Sequence, residues 1–167
     1  MRMPSRRSLL VALLSVTVTG CLYGFAGGGL PTHIRTVAVM PFDNETATPE
    51  VPRELQEALR RGMQDRLGLR DAPEDRASAV VRGTVTRYEL DIPVGFSANP
   101  NQATSARRRL RVLVDIEIVD QVTGKVLWQK TGVSAEGEYA DRGEAEGRKQ
   151  AIDRIVTEII EGAQSQW

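Results

Sequence analysis

From Leu110 to Ile118 every second residue is aliphatic (Leu110, Val112, Val114, Ile116, Ile118), while Arg109 just before them and Arg111, Asp115 and Glu117 between them take the alternate positions. Successive side chains of a strand point to opposite faces, so this segment fits only a sheet with one face on the core and one face mostly wet. Asp120–Lys125 carries turn residues around Gly124, and Val126–Thr131 returns as the hairpin partner. Whatever else the chain does, it must supply something apolar to cover one side of that hairpin.

Two segments meet that demand. Val51, Leu55, Ala58, Leu59, Met63 and Leu67 recur at three- and four-residue intervals and make one apolar stripe. That helix is expected to open at Thr48-Pro49, a capping hydroxyl followed by proline, and to stop at Gly68. Near the C-terminus Ile152, Ile155, Val156, Ile159 and Ile160 form a second stripe, opened by Asp141 with Glu144 three residues on, before Trp167 closes the chain. Thr36–Phe42 is a short continuous apolar run, as expected of a strand covered on both faces, ended by turn residues Asp43–Thr46. Ala77–Leu90 alternates through Ala79, Val81, Gly83 and Val85, then slips near Arg87-Tyr88-Glu89, as a bulge would require. The order β-α-β-β-β-α predicts an α+β fold: a two-layer sandwich in which two helices pack on one face of a four-stranded mixed sheet.

The N-terminus sets a different constraint. Arg2, Arg6 and Arg7 precede an apolar run from Leu9 to Val18, too short for a membrane span of about 20 residues. A basic head, a short apolar stretch and small residues describe an export signal. Val18-Thr19-Gly20-Cys21 resembles a lipobox, and Cys21 is the chain's 1 cysteine. Residues 1–20 are therefore expected to be a lipoprotein signal peptide, 21–34 a lipidated glycine-rich tether, and 35–167 a single domain. Ser5–Leu10 loosely resembles a twin-arginine signal, but paired arginines are common in signal heads and the general export route is the expected one. Without Arg2, Arg6 and Arg7 the chain keeps 19 basic residues against 22 acids. That balance argues against nucleic acid as a partner, and the absence of a second cysteine leaves packing alone to hold the fold.

Catalysis has little support. His33 lies in the expected tether, where a lone histidine is ordinarily solvated, and no second ligand stands at metal spacing. No nucleophile motif or acid–base pair is present, and no cofactor or metal is implied. Asn44-Glu45-Thr46 spells a sequon but reads as a turn, and Gly27–Gly29 lacks the Gly-Lys-Ser/Thr of a phosphate loop. Two features remain. Asp91–Ala106 is a long, almost uncharged loop holding Val94 and Phe96, and loops of that length are commonly functional or disordered. Directly after it come Arg107, Arg108, Arg109 and Arg111. Arginine forks match phosphate oxygens, which suggests a site for phosphates or acidic sugars; equally, the same residues keep an exposed strand soluble and block edge pairing.

Cys21–Phe25, Gly27–Ile34, Thr36–Asn44, Val81–Tyr88 and Gly124–Trp128 occur in an order that resembles the lipopolysaccharide-assembly lipoprotein family (LptE-like). The resemblance implies a non-enzymatic outer-membrane lipoprotein, anchored at Cys21 and facing the periplasm or a barrel lumen. Its implied partner is the lipopolysaccharide-inserting β-barrel (LptD-like), whose assembly and lipopolysaccharide transport it aids. Leu22 after the cysteine, where aspartate would favour inner-membrane retention, fits the outer membrane by the same resemblance. Some members bind lipopolysaccharide through basic residues in two loops at one end of the sandwich; here the matching positions are Arg107, Arg108 and Arg109 and, more weakly, Arg142 before the last helix, and Arg111 and Phe96 are candidate contacts beside them in the sequence. The strand Val37–Phe42 followed by Asp43-Asn44 also resembles periplasmic lipoproteins of similar shape that activate cell-wall synthases or gate curli-type secretion.

Overall fold

The computed structural model describes residues 30–93, 108–140 and 143–165. The elements are β1 (Thr36–Val39), β2 (Asp43–Asn44), α1 (Glu50–Leu67), β3 (Arg70–Asp71), a 3-10 turn (Glu74–Arg76), β4 (Ala79–Pro93), β5 (Arg108–Asp120), β6 (Val126–Tyr139) and α2 (Glu144–Ser165). The expected α+β sandwich is present, but its sheet has six strands instead of four, in the order β3-β1-β4-β5-β6 with β2 also pairing β4. The two additional strands, β2 and β3, are two residues each, too short to leave a periodic signal.

The sheet is mixed as expected: β1, β2 and β3 run parallel to their partners, while β4, β5 and β6 are antiparallel. Leu110, Val112, Val114, Ile116 and Ile118 are all buried and join Leu55, Leu59, Met63, Ile155 and Ile159 in one core shared by the sheet and both helices. β1 is covered on both faces: Val37 and Val39 meet that core, while Ala38 packs with Ala77 and Val80 on the other side. Burying such side chains contributes about 1.5–3 kcal/mol each, the dominant favourable effect in a chain without disulfides.

Boundaries shift for local reasons. α1 begins at Glu50, with Pro49 (φ −71°) at the cap and no side-chain capping bond, so Thr48 is not the cap. Its end is as expected: Gly68 takes φ 67° and its amide bonds the Gln64 carbonyl at 3.1 Å, a conformation in which a side chain would be strained. Asp43-Asn44, expected within a turn, pairs with Thr84 and Val85 before Asn44 Oδ1 accepts from the Thr46 amide at 3.0 Å. β4 shifts register against β5 twice, between Val85 and Arg87 and between Glu89 and Ile92, and the strand continues to Pro93, taking three residues from the expected loop. β6 runs eight residues beyond Thr131, because Gly132 (φ 66°) and a register shift between Val114 and Ile116 carry the pairing past a break in the pattern.

Glycines allow close packing at both ends of α2. A Cβ on Gly137 would stand 1.7 Å from the Gly147 carbonyl oxygen, and one on Gly162 would stand 2.6 Å from the Trp128 ring. The helix therefore returns along β6 in near contact, from the Tyr139 end of the strand to the Trp128 end.

Candidate functional site

The strands give the sandwich two chemically different ends. At one, the C-terminal ends of β4 and β6 meet the start of β5 and of α2. Here Glu89, Arg111 and Glu136 lie abreast on three neighbouring strands, and Arg109 lies opposite Glu138. Arg111 donates to Glu136 through Nε at 3.1 Å and through a second guanidinium nitrogen, and its Nη1 lies 3.6 Å from Glu89. Arg109 reaches Glu136 at 3.0 Å and Glu138 at 3.6 Å. The Arg111 hydrogen bonds, opposed by slight burial, hold the Glu136 carboxyl below its ordinary range, and the same bonds to Glu136 raise Arg111. These groups are half-exposed on the face away from the helices.

Under this ladder lies a pin between layers. Arg148 Nε and Nη2 grip Glu54 of α1 at 2.8 and 2.9 Å, a bidentate pair, while Nη1 reaches Glu144 at 3.2 Å. The Tyr88 hydroxyl donates to Glu144 at 2.7 Å, tying β4 to the start of α2. Burial and the neighbouring Glu144 carboxylate push the Tyr88 hydroxyl well above its ordinary range. Arg148 is likewise raised, chiefly by its bonds to Glu54.

At the opposite end the β5–β6 turn is organised by one buried carboxylate. Asp120 accepts from the Thr123 hydroxyl at 2.6 Å, the Val122 amide at 2.8 Å, the Thr123 amide at 3.3 Å and His33 Nε2 at 2.8 Å. Burial alone would raise its pKa; the Thr123 and His33 bonds and the two amides outweigh that and hold it at about 2. His33 is exposed, as expected of a solvated histidine, but it is also clasped to a carboxylate 87 positions away. Ile34 beside it is buried and Leu30 packs on the core, so residues 30–34, expected in the tether, belong to the folded domain. Ser78 adds a stitch, accepting from the Arg35 and Thr36 amides at 3.0 and 2.9 Å.

Of the residues singled out from the sequence, Arg109 and Arg111 come together on the open face, and Arg108 stands exposed beside them opposite Pro93 and Tyr139. Cys21, Phe96, Arg107, Asp141, Arg142 and Trp167 lie outside the described residues, as does most of the 91–106 loop. The sequence reading missed Glu89, Glu136 and Glu138, the counterions of the cluster. Their alternating placement in extended segments was the available signal, but strand register was needed to bring them to the arginines. An incoming phosphate must exchange with these carboxylates. Elsewhere on the open face a shallow groove of about 430 Å³ is lined by both charges, including Arg82, Asp115, Glu117 and Lys130. No cluster of three or more metal-ligating side chains occurs among the described residues, and no described helix is long and apolar enough to cross a membrane.

Such an arrangement defines a two-layer α+β module that presents a charged sheet face. The chain belongs to the Lipopolysaccharide-assembly family (LptE), whose model matches residues 34–161. No curated protein matches the sequence. Among solved structures, the fold is similar to a PelC dodecamer from Paraburkholderia phytofirmans, at TM-score 0.51 and 18% identity over 78% of this chain and 91% of that one. A hypothetical protein from Chlamydia trachomatis gives 0.53 at 12% identity, over 78% and 96% of the chains. A protein from Xanthomonas campestris gives 0.54 at 10% identity, over 83% and 91%. At these identities the structures speak for the fold alone.

Proposed function

We propose that this member of the lipopolysaccharide-assembly family is an outer-membrane lipoprotein, lipidated at Cys21, that partners the lipopolysaccharide-inserting β-barrel and aids its assembly and the delivery of lipopolysaccharide. The family match across residues 34–161 carries this reading. Two features support it: Leu30, nine residues after Cys21, already packs on the core, and the described sheet face offers exchangeable surface charges. Its role on this reading is non-enzymatic, without cofactor or nucleic acid.

Mechanistically, the arginine end is the contact for lipid phosphates. Arg109 and Arg111 are held extended by Glu136 and Glu138, so the guanidinium forks are already ordered when a phosphate arrives. Ordering them beforehand lowers the entropic cost of binding, while the carboxylates keep the contact reversible. Arg107, Arg108, Phe96 and Arg142 complete the contact from the flanking segments.

Purification from detergent with mass spectrometry is the test. A β-barrel partner is expected; a cell-wall synthase or a self-assembled ring in its place would move the protein to the periplasmic regulatory class. Serine at Arg107, Arg108 and Arg109 together is expected to weaken lipopolysaccharide binding, and unchanged binding and barrel assembly would end the site assignment. Labelled palmitate is expected on the wild type and not on Cys21→Ser.

A further inference from the structure

A strand at the end of a sheet turns amides and carbonyls outward, where a strand of another molecule can pair with them. The strand order here ends in β3 on one side and in β6 on the other. β3 is only two residues long, but β6 runs for 14, and among the described residues no strand lies beyond it. Its middle, residues 131–135, carries no charge. A long edge with an uncharged centre invites association unless something covers it.

The cover comes from the helices. Arg154 of α2 donates through Nη1 to the Glu136 carbonyl of β6 at 2.7 Å. In an antiparallel ladder, pairs whose backbone groups bond the neighbouring strand alternate with pairs whose groups face away. A Glu136 carbonyl that bonds a helix side chain belongs to the second kind, and Ser134, two residues back, is in phase with it. Among the described residues Arg154 makes no ion pair, although α2 carries several acids, so its guanidinium is committed to this carbonyl. Lys130 meets Glu158 of the same helix, which laces α2 to β6 on both sides of Gly132. The opposite edge has a smaller counterpart: past the end of β3, the Val39 carbonyl accepts from Gln56 of α1 at 2.8 Å.

We propose that Arg154 is a guard on the β6 edge: it occupies the outward-facing carbonyl of Glu136, and without it the edge becomes a pairing surface for a second copy of this chain. Two copies related by a twofold axis through Ser134 would run antiparallel, with Val133 opposite Ala135 and Glu136 opposite Gly132. No like charges then face each other at the centre, so the strand suits its own copy. The guard is independent of the partner that the arginine end takes.

The full-length chain in detergent, carrying Cys21→Ser and Ser134→Cys, has its single thiol on that axis and tests the guard under mild oxidation. Little cross-linked dimer is expected while Arg154 is present, and abundant dimer at that stage would overturn its role. Adding Arg154→Ala is expected to raise the yield several-fold, and an unchanged yield would overturn the proposal. Arg154 and Ser134 are both exposed, so neither change is expected to unfold the chain. Sedimentation reads the same contact without a cross-link. With Ser134 in place, Arg154→Ala should double the mass, and adding Ser134→Pro, which removes an outward amide, should restore the monomer. A dimer that survives the proline would overturn the β6 edge as the pairing surface.

Discussion

The two ends of the sandwich both depend on carboxylates, and the contrast between them separates architecture from recognition. Asp120 at the turn end is buried, and its two oxygens take four donors, so any replacement leaves several polar groups unpaired. Glu136 at the arginine end is about a third exposed, shares its partners with Glu89 and Glu138, and can give them up to water. Exposed ion pairs add little to stability, and that weakness is what makes their members exchangeable. The same residue type thus builds the fold at one end and, in the proposed function, leaves a contact open at the other.

The largest expected effect tests whether the arginine end has any rigid part. Gly137→Ala would force a Cβ to within 1.7 Å of the Gly147 carbonyl oxygen, so the start of α2 must lift from β6. Overpacking against backbone is expected to cost about 3 kcal/mol, read as a lower denaturant midpoint. A neutral outcome would mean that α2 is not seated on β6, and the ladder would lose its support. Next, Asp120→Ala is expected to cost about 2 kcal/mol, the loss of hydrogen bonds to a charged group, whereas Glu136→Ala should leave the unfolding midpoint unmoved. If the two substitutions cost the same, the contrast between the ends is wrong.

Acid titration sharpens the comparison. Asp120 has a folded pKa of about 2, below the value of about 3.9 for an unfolded aspartate. Its stabilisation is therefore full above about pH 4 and is lost as pH falls from 4 through 2. Unfolding followed across that window should be less steep in Asp120→Asn than in wild type. An identical slope would show that the clasp contributes nothing in solution.

How much of this was legible in the sequence depends on how far each interaction reaches. The β5 alternation and the α1 stripe, Val51, Leu55, Leu59 and Met63, are local patterns repeated over several turns or pleats, and the buried faces follow them. β2 and β3 are defined wholly by their neighbours and left no trace. The second half of β6 was hidden by Gly132 and Gly137, which are poor strand formers chosen for a positive φ and for contact with α2. For the site, the arginine run was obvious as composition. Its counterions were not, because Glu89 meets Arg111 only through the β4–β5 register set by the bulge after Val85, and Glu136 only through the β5–β6 register beyond the shift between Val114 and Ile116. The partner of His33 was hidden for a related reason: a clasp across 87 residues has no local signature.

The smallest expected effect asks whether the ladder holds the arginines ready for a ligand or only neutralises them. Glu136→Gln keeps a hydrogen-bond acceptor of nearly the same shape beside Arg109 and Arg111 while removing one negative charge from the contact. If the arginines only keep an edge soluble, the change should leave lipopolysaccharide binding where it was. If phosphate must exchange with Glu136, removing that competitor should tighten binding by about fivefold, the effect of one charge a few ångströms away at a wet surface. The gain should shrink as salt is added, because screening weakens the phosphate contact and the carboxylate's competition together. Titration of the variant and wild type onto immobilised lipopolysaccharide at two ionic strengths decides between them. Tighter binding at low salt alone assigns Arg109 and Arg111 to the ligand, and equal binding at both assigns them to the sheet.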